Sequence, residues 1–191
     1  MILGITGGTG CGKTTLLKEI EGLGGRILDC DAIYHGLLAT DRELLGAIEA
    51  RFPGVAADGG LDRKKLGSIV FSDPDALLDL NRITHSAVKR EVIARLEAKP
   101  ALAAIDAIAL VEGGLAELCD LTVAVTAPEA VRVRRLMARD GIAEEYARAR
   151  IAAQKPESYF AQRCDFVLHN DDGLEEFREA CRTFLRSRVR T

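Results

Sequence analysis

The chain has 191 residues, 48% hydrophobic and 29% charged, with a formal net charge of −3 and a pI near 5.7. That is enough for one main domain with small insertions, and the mildly acidic balance argues against a broad nucleic-acid or anionic-membrane surface. Five cysteines without a C-x-x-C pair fit reduced thiols better than a disulfide framework or a zinc site; with no secretory h-region and no apolar run near the ~20 residues of a membrane span, the expected setting is cytoplasmic.

Met1 to Thr6 is a short apolar run ending in a β-branched residue, and Thr14 to Glu21 is compatible with a helix. Between them Gly7, Gly12, Lys13 and Thr14 fill the fixed positions of the phosphate-binding pattern G-x-x-x-x-G-K-[ST]. Gly7, Gly8, Gly10 and Gly12 permit positive φ, so successive N–H groups can turn inward around an anion. A helix beginning at about Lys13 adds its N-terminal N–H groups and the positive end of its dipole. Gly8, Gly10, Cys11, Gly12, Lys13, Thr14 and Thr15 are therefore expected to form the site of a nucleoside di- or triphosphate. Lys13 reaches the β- and γ-phosphates, and the Thr14 hydroxyl is a ligand of Mg²⁺. Thr15 chiefly supports the first helical turn. Cys11 reads as a small filler, with a thiol activated by the inward amides and Lys13 as the alternative.

A second strand follows at Arg26 to Cys30, with Asp29 and Asp31 flanking Cys30. Alternation puts both carboxylates on one side if the strand continues that far. Asp31 is the better candidate to orient an acceptor hydroxyl and take its proton; as a favoured helix cap it has an equally good structural role. The stretch from about His35 to Pro100 carries helical patterns at Asp41–Phe52, Arg63–Phe71 and Pro74–Ala98 and is too long for a simple crossover. It reads as a helical insertion that holds a substrate.

Further strands are expected at Ala104 to Val111, Leu121 to Thr126 and Phe166 to His169. Near-continuous apolar strands separated by helices imply a three-layer α/β/α fold around a five-stranded parallel sheet. Between the last two strands, Pro128 opens a helix that Gly141 closes, and Ala143 to Gln154 forms another. Arg132, Arg134, Arg135, Arg139, Arg148 and Arg150 fall here, the expected form of a lid that closes over phosphates and neutralises charge; about half of them are expected to be merely solvated. Arg139 is the first choice for that role and Arg135 the second. The resulting division is a core at 1–35, 101–131 and 161–191, the insertion at 36–100 and the lid at 132–160.

The segments GGTGCGKTT, LDCDAI, GGLDRKKLGSIVFSDPDAL, ITHSAVKREV, VEGGL, RLMARDG and FVLHNDDG occur in the order seen in dephospho-coenzyme A kinases, and the chain resembles that family over nearly its whole length. The resemblance implies ATP-dependent phosphorylation of the ribose 3′-hydroxyl of dephospho-coenzyme A, the last step of coenzyme A synthesis. It implies that Asp31 is the acceptor-side catalytic residue, that Arg139 is the lid arginine and that Asn170 lies in the loop near the adenine. Leu61-Asp62-Arg63 with Val70-Phe71 and His85 resembles the coenzyme-binding helices, which makes Arg63 and His85 acceptor candidates. Glu112 ends the segment after the third strand, as a group outside the Mg²⁺ ligands or as the end of a buried strand. Ile108 to Val111, Ser86 and Phe160 depart from the family pattern, so another small-molecule or nucleotide kinase of the same architecture stays open. A nucleotide-dependent regulator is a third reading. A monomer or small homo-oligomer is expected.

Overall fold

A computed structural model describes residues 1–56, 60–171 and 173–189; Gly59 and Asp172 of the quoted segments lie outside the described residues. The chain divides into two compact units, Met1–Leu28 with Pro100–Thr191, and Asp29–Lys99. The second unit thus begins at Asp29 rather than at 36 as expected from the sequence.

In the first unit, β1 (Ile2–Thr6) leads through the glycine-rich loop into α1 (Lys13–Gly22), then β2 (Arg26–Asp29), whose last residue belongs to the second unit. After the helical unit come β3 (Ala103–Asp106), β4 (Leu121–Thr126), α6 (Glu129–Asp140), α7 (Glu144–Ala152), α8 (Glu157–Ala161), β5 (Phe166–His169) and α9 (Leu174–Arg188). The sheet order is β2-β3-β1-β4-β5. β1 pairs in parallel with β3 (Ile2 opposite Ala103) and with β4 (Leu3 opposite Leu121), and β4 with β5. The expected α/β fold with a five-stranded parallel sheet is therefore present. Buried strand residues Leu3, Ile5, Val123 and Val125 share one core with Leu16 and Ile20 of α1 and Phe177, Cys181 and Leu185 of α9, which fits the near-unbroken apolar strands of a covered parallel sheet.

Two expected strands are shorter than the sequence suggests. The run Ala104 to Val111 extends as a strand only to Asp106, and residues 108–114 form turns, with Gly114 at φ 65°. Leu110 is nevertheless fully buried. Its carbonyl accepts the N–H groups of Leu115 and Ala116, and its side chain fills the space a Cβ would need at Gly4, 2.9 Å away. An apolar turn packed into the core carries the same hydrophobic signal as a strand. Similarly, β2 stops at Asp29 and a helix starts at Cys30, so strand alternation does not govern Asp31.

The second unit consists of α2 (Cys30–Thr40), α3 (Arg42–Arg51), α4 (Arg63–Val70) and α5 (Pro74–Leu96). Asp29, Asp41, Asp62 and Asp73 cap these helices, each accepting backbone N–H groups of the first turn, as short acceptors do at N-termini. Leu44, Ile48, Phe52, Val55, Leu66, Val70 and Leu80 form the unit's own core.

Candidate active site

The loop after β1 takes the expected backbone form, with Gly7, Gly10 and Gly12 at φ 139°, 78° and 100°. Gly8 has no positive φ; it is glycine because a Cβ there would lie 2.3 Å from Arg132 Nη2. The backbone argument from sequence is corrected at that position. Gly12 precedes α1 in the left-handed region and no side chain caps the helix, leaving the first N–H groups directed at an anion site. Lys13 Nζ donates to Gly7 O at 3.2 Å and stands 3.8 Å from the Asp106 carboxylate. Thr14 is exposed and Thr15 half-buried in the first turn of α1.

Asp106, at the carboxyl end of β3, is the functional candidate missed in the sequence. A single aspartate inside AAIDAIALV marks the point where the apolar strand meets the ligand-binding edge of a parallel sheet. Cys11 is buried, and burial pushes its thiol up despite the opposing charges of Lys13 and Arg132. Its burial is what a small filler would show, and loss of hydration opposes the thiol activation that the two cations would favour.

Arg135 and Asn170 brace the loop from beneath. Asn170 is 4% exposed; its Nδ2 donates to Cys11 O at 2.8 Å, and its Oδ1 accepts from Arg135 Nη2 at 2.9 Å. Arg135 Nη1 also reaches the carbonyls of Gly10 and Cys11 at 3.5 and 3.4 Å. The Asn170 side chain is thus engaged with the loop and Arg135. Arg132, buried, donates Nε to Thr9 O at 2.8 Å.

Arg139 holds the Asp140 carboxylate through Nε at 2.6 Å and Nη2 at 3.0 Å, and Arg150 bonds the same carboxylate at 2.7 Å. The Arg139 hydrogen bonds above all, with those of Arg150, pull Asp140 down to about 2. α6 and α7 pack through Val133, Leu136, Ala147 and Ile151. Glu112 is exposed in the turn after β3, beside the Tyr159 hydroxyl; burial first, then this carboxylate, pushes the Tyr159 phenol up. The strand-end reading of Glu112 is corrected, since β3 ends at Asp106.

In the helical unit, Asp31 is exposed in the first turn of α2. The cap of that helix is Asp29, whose Oδ1 accepts the Ala32 N–H at 2.9 Å, so Asp31 does not have the capping role allowed from sequence. Arg63 lines a hollow of about 240 Å³ with Tyr34, His35, Leu61 and Phe71. Phe71 is 86% exposed at its rim. His85 is half-buried in the middle of α5 and is not among the residues lining that hollow.

Among the described residues no cluster of three or more acidic, His or Cys side chains could hold a metal alone. A cation would take most of its ligands from phosphate and water, as Mg²⁺ commonly does.

A glycine-rich anion loop at the end of a parallel strand, with a lysine braced between its carbonyl and an aspartate, defines a phosphate-loop nucleotide-binding fold. Solved folds of the same class include the shikimate kinase of Bacteroides thetaiotaomicron, with a TM-score of 0.56 over 98% of this chain and 96% of that one at 18% identity. The family model of dephospho-CoA kinase (CoaE) matches residues 1–176, and the chain belongs to that family, the kinases of the last step of coenzyme A synthesis. The curated dephospho-CoA kinase of Anaeromyxobacter dehalogenans is 41% identical over 175 residues, covering 88% of this chain and 83% of that protein. That of Syntrophotalea carbinolica is 36% identical over 185 residues, covering 94% and 88%. The crystal structure of TT1252 from Thermus thermophilus has a TM-score of 0.80 at 34% identity, covering 100% of this chain and 98% of that one. The regulator reading falls with this membership.

Proposed function

We propose that the chain transfers the γ-phosphoryl group of ATP to the ribose 3′-hydroxyl of dephospho-coenzyme A with Asp31, Lys13 and Arg139 as the working side chains. The observation that carries this is Lys13, held between Gly7 O and Asp106 at the mouth of the loop, in a chain of that family. Phosphoryl transfer asks a protein mainly for positioning and charge neutralisation. Gly8 to Thr15 would hold the phosphates through N–H groups, the helix dipole and the Lys13 ammonium. The Thr14 hydroxyl and Asp106 carboxylate would offer hard oxygen donors to Mg²⁺, and the cation would supply charge neutralisation for the phosphates. Arg135 and Asn170 keep the loop in shape beneath the nucleotide. Asp31 would orient the acceptor hydroxyl and take its proton.

The Arg63 hollow, apolar with one cation and an exposed Phe71, suits an acceptor with a pyrophosphate and a long uncharged arm; Arg63 would receive the pyrophosphate. His85 and Glu112 stay as acceptor-side residues of lower rank. Free thiols at Cys11, Cys30, Cys119, Cys164 and Cys181, and no described helix long and apolar enough to cross a membrane, support a reducing, cytoplasmic setting.

The test is ADP release with Mg-ATP and dephospho-coenzyme A, beside adenosine, nucleoside monophosphates and no acceptor. Stimulation by dephospho-coenzyme A alone is expected; stimulation by another acceptor, or acceptor-independent hydrolysis only, overturns the substrate. Arg139 must leave its bidentate pair with Asp140 to meet a phosphate, so its interactions are expected to form late on the reaction path. Arg139→Ala should therefore lower kcat more than it raises the Kd of ATP, and equal effects on both would make Arg139 a ground-state binder only.

A further inference from the structure

Gln154, in the turn between α7 and α8, sits against the outer bend of the phosphate loop. Its Oε1 accepts the Thr9 N–H at 2.7 Å and Arg132 Nη2 at 3.4 Å, while Arg132 Nε donates to Thr9 O at 2.8 Å. Both backbone polar groups of Thr9 are therefore taken by side chains lying 145 and 123 residues away in sequence. The fit is close on both sides of Thr9. A Cβ at Gly8 would meet Arg132 Nη2 at 2.3 Å and Gln154 Oε1 at 3.2 Å, and one at Gly10 would meet Arg132 O at 3.0 Å.

A loop this rich in glycine has more backbone freedom to lose than one with side chains at every position. Ordering it on binding would subtract that cost from the affinity of the incoming phosphates, whereas a loop already ordered leaves the affinity intact. Arg132 alone does not fix the bend, because it holds only the Thr9 carbonyl. That carbonyl belongs to the Thr9–Gly10 peptide; the Thr9 N–H belongs to the preceding Gly8–Thr9 peptide, whose outward orientation Gln154 holds.

We propose that Gln154, itself set by Arg132, is a positioning residue that preorganises the phosphate loop, acting through the Gly8–Thr9 peptide and touching neither nucleotide nor acceptor. The inference rests on the reading of this loop as the ATP site. Its consequence is selective: loss of the Gln154 acceptor weakens ligands that place a β-phosphate in the loop and leaves others nearly untouched.

The test is calorimetric binding of ADP and AMP to wild type and to Gln154→Met, which keeps the side-chain volume and removes the acceptor. The expected result is a Kd for ADP raised about ten-fold, a Kd for AMP changed less than two-fold, an unchanged acceptor KM and kcat at saturating ATP within about two-fold. Gln154→Glu, which keeps a carboxyl oxygen opposite the Thr9 N–H and a partner for Arg132, should recover the ADP to AMP ratio at least in part. Equal changes for both ligands, or none, would reduce Gln154 to a structural contact. Gln154→Ala gives the same comparison if the methionine variant does not fold. Failure of the wild type to bind ADP would instead count against the nucleotide site itself.

Discussion

Asp31→Asn is expected to bind ATP as the wild type does and to turn over about 10²–10⁴-fold more slowly, the range that a lost general base removes. The residue is well placed for a clean experiment. It is exposed, and the helix in whose first turn it lies is capped by Asp29 through Ala32 N. Neutralising it takes only one negative charge from the first turn of α2, which is worth about 0.3–1 kcal/mol at an exposed site. The fold should survive, so a fall in kcat reports chemistry. Dephospho-coenzyme A KM and ATP Kd measured together locate the effect; near wild-type kcat would remove Asp31 from the mechanism.

Lys13→Met is expected to lose about 10³-fold in kcat/KM for ATP, the upper range for removing one preorganised donor from a transition-state site. The ammonium has two positions to serve. It bonds Gly7 O at 3.2 Å and lies 3.8 Å from Asp106, with the two side chains 16% and 20% exposed. Methionine keeps the apolar stem and leaves the Asp106 carboxylate without that cation, next to where the phosphates bind. Repulsion then adds to the missing attraction, so ATP Kd should rise as kcat falls. Lys13→Met with additional Asp106→Asn tests this on the binding of ATP without Mg²⁺, where Asp106 has no cation to hold: partial recovery in the double variant identifies the repulsion, and the absence of recovery assigns the whole loss to the missing ammonium.

The fold was legible because its signals are local. The phosphate pattern, the apolar strands, Pro128 and Gly141 around α6, and the aspartates before α3, α4 and α5 are each explained by neighbours within a few residues. What the sequence concealed was long-range. Asp106 was hidden in an apolar run whose second half turned out to be a buried turn. Arg132 looked like any arginine on a charged helix, yet it is 7% exposed and bonded to Thr9. The resemblance places Asn170 in the loop near the adenine, but nothing local shows that its side chain bonds a loop carbonyl 159 residues earlier in the chain. Helical periodicity says which face is polar, not which polar residue crosses the molecule.

The strand order carries a consequence for biosynthesis. β1 leaves the ribosome first, but its partners are Ala103 to Asp106 on one side and Leu121 to Ala124 on the other. At about 5–20 residues per second, the strand that leads into the phosphate loop waits roughly 5–20 s for a neighbour. Within that interval the whole of Asp29–Lys99 is made, a unit with a hydrophobic core of its own. Vectorial synthesis therefore presents the helical unit complete while the nucleotide-binding sheet is still two unpaired strands, β1 and β2, whose shared neighbour β3 is yet to come, and nascent chains stalled before residue 103 should hold helix without the ability to bind ADP.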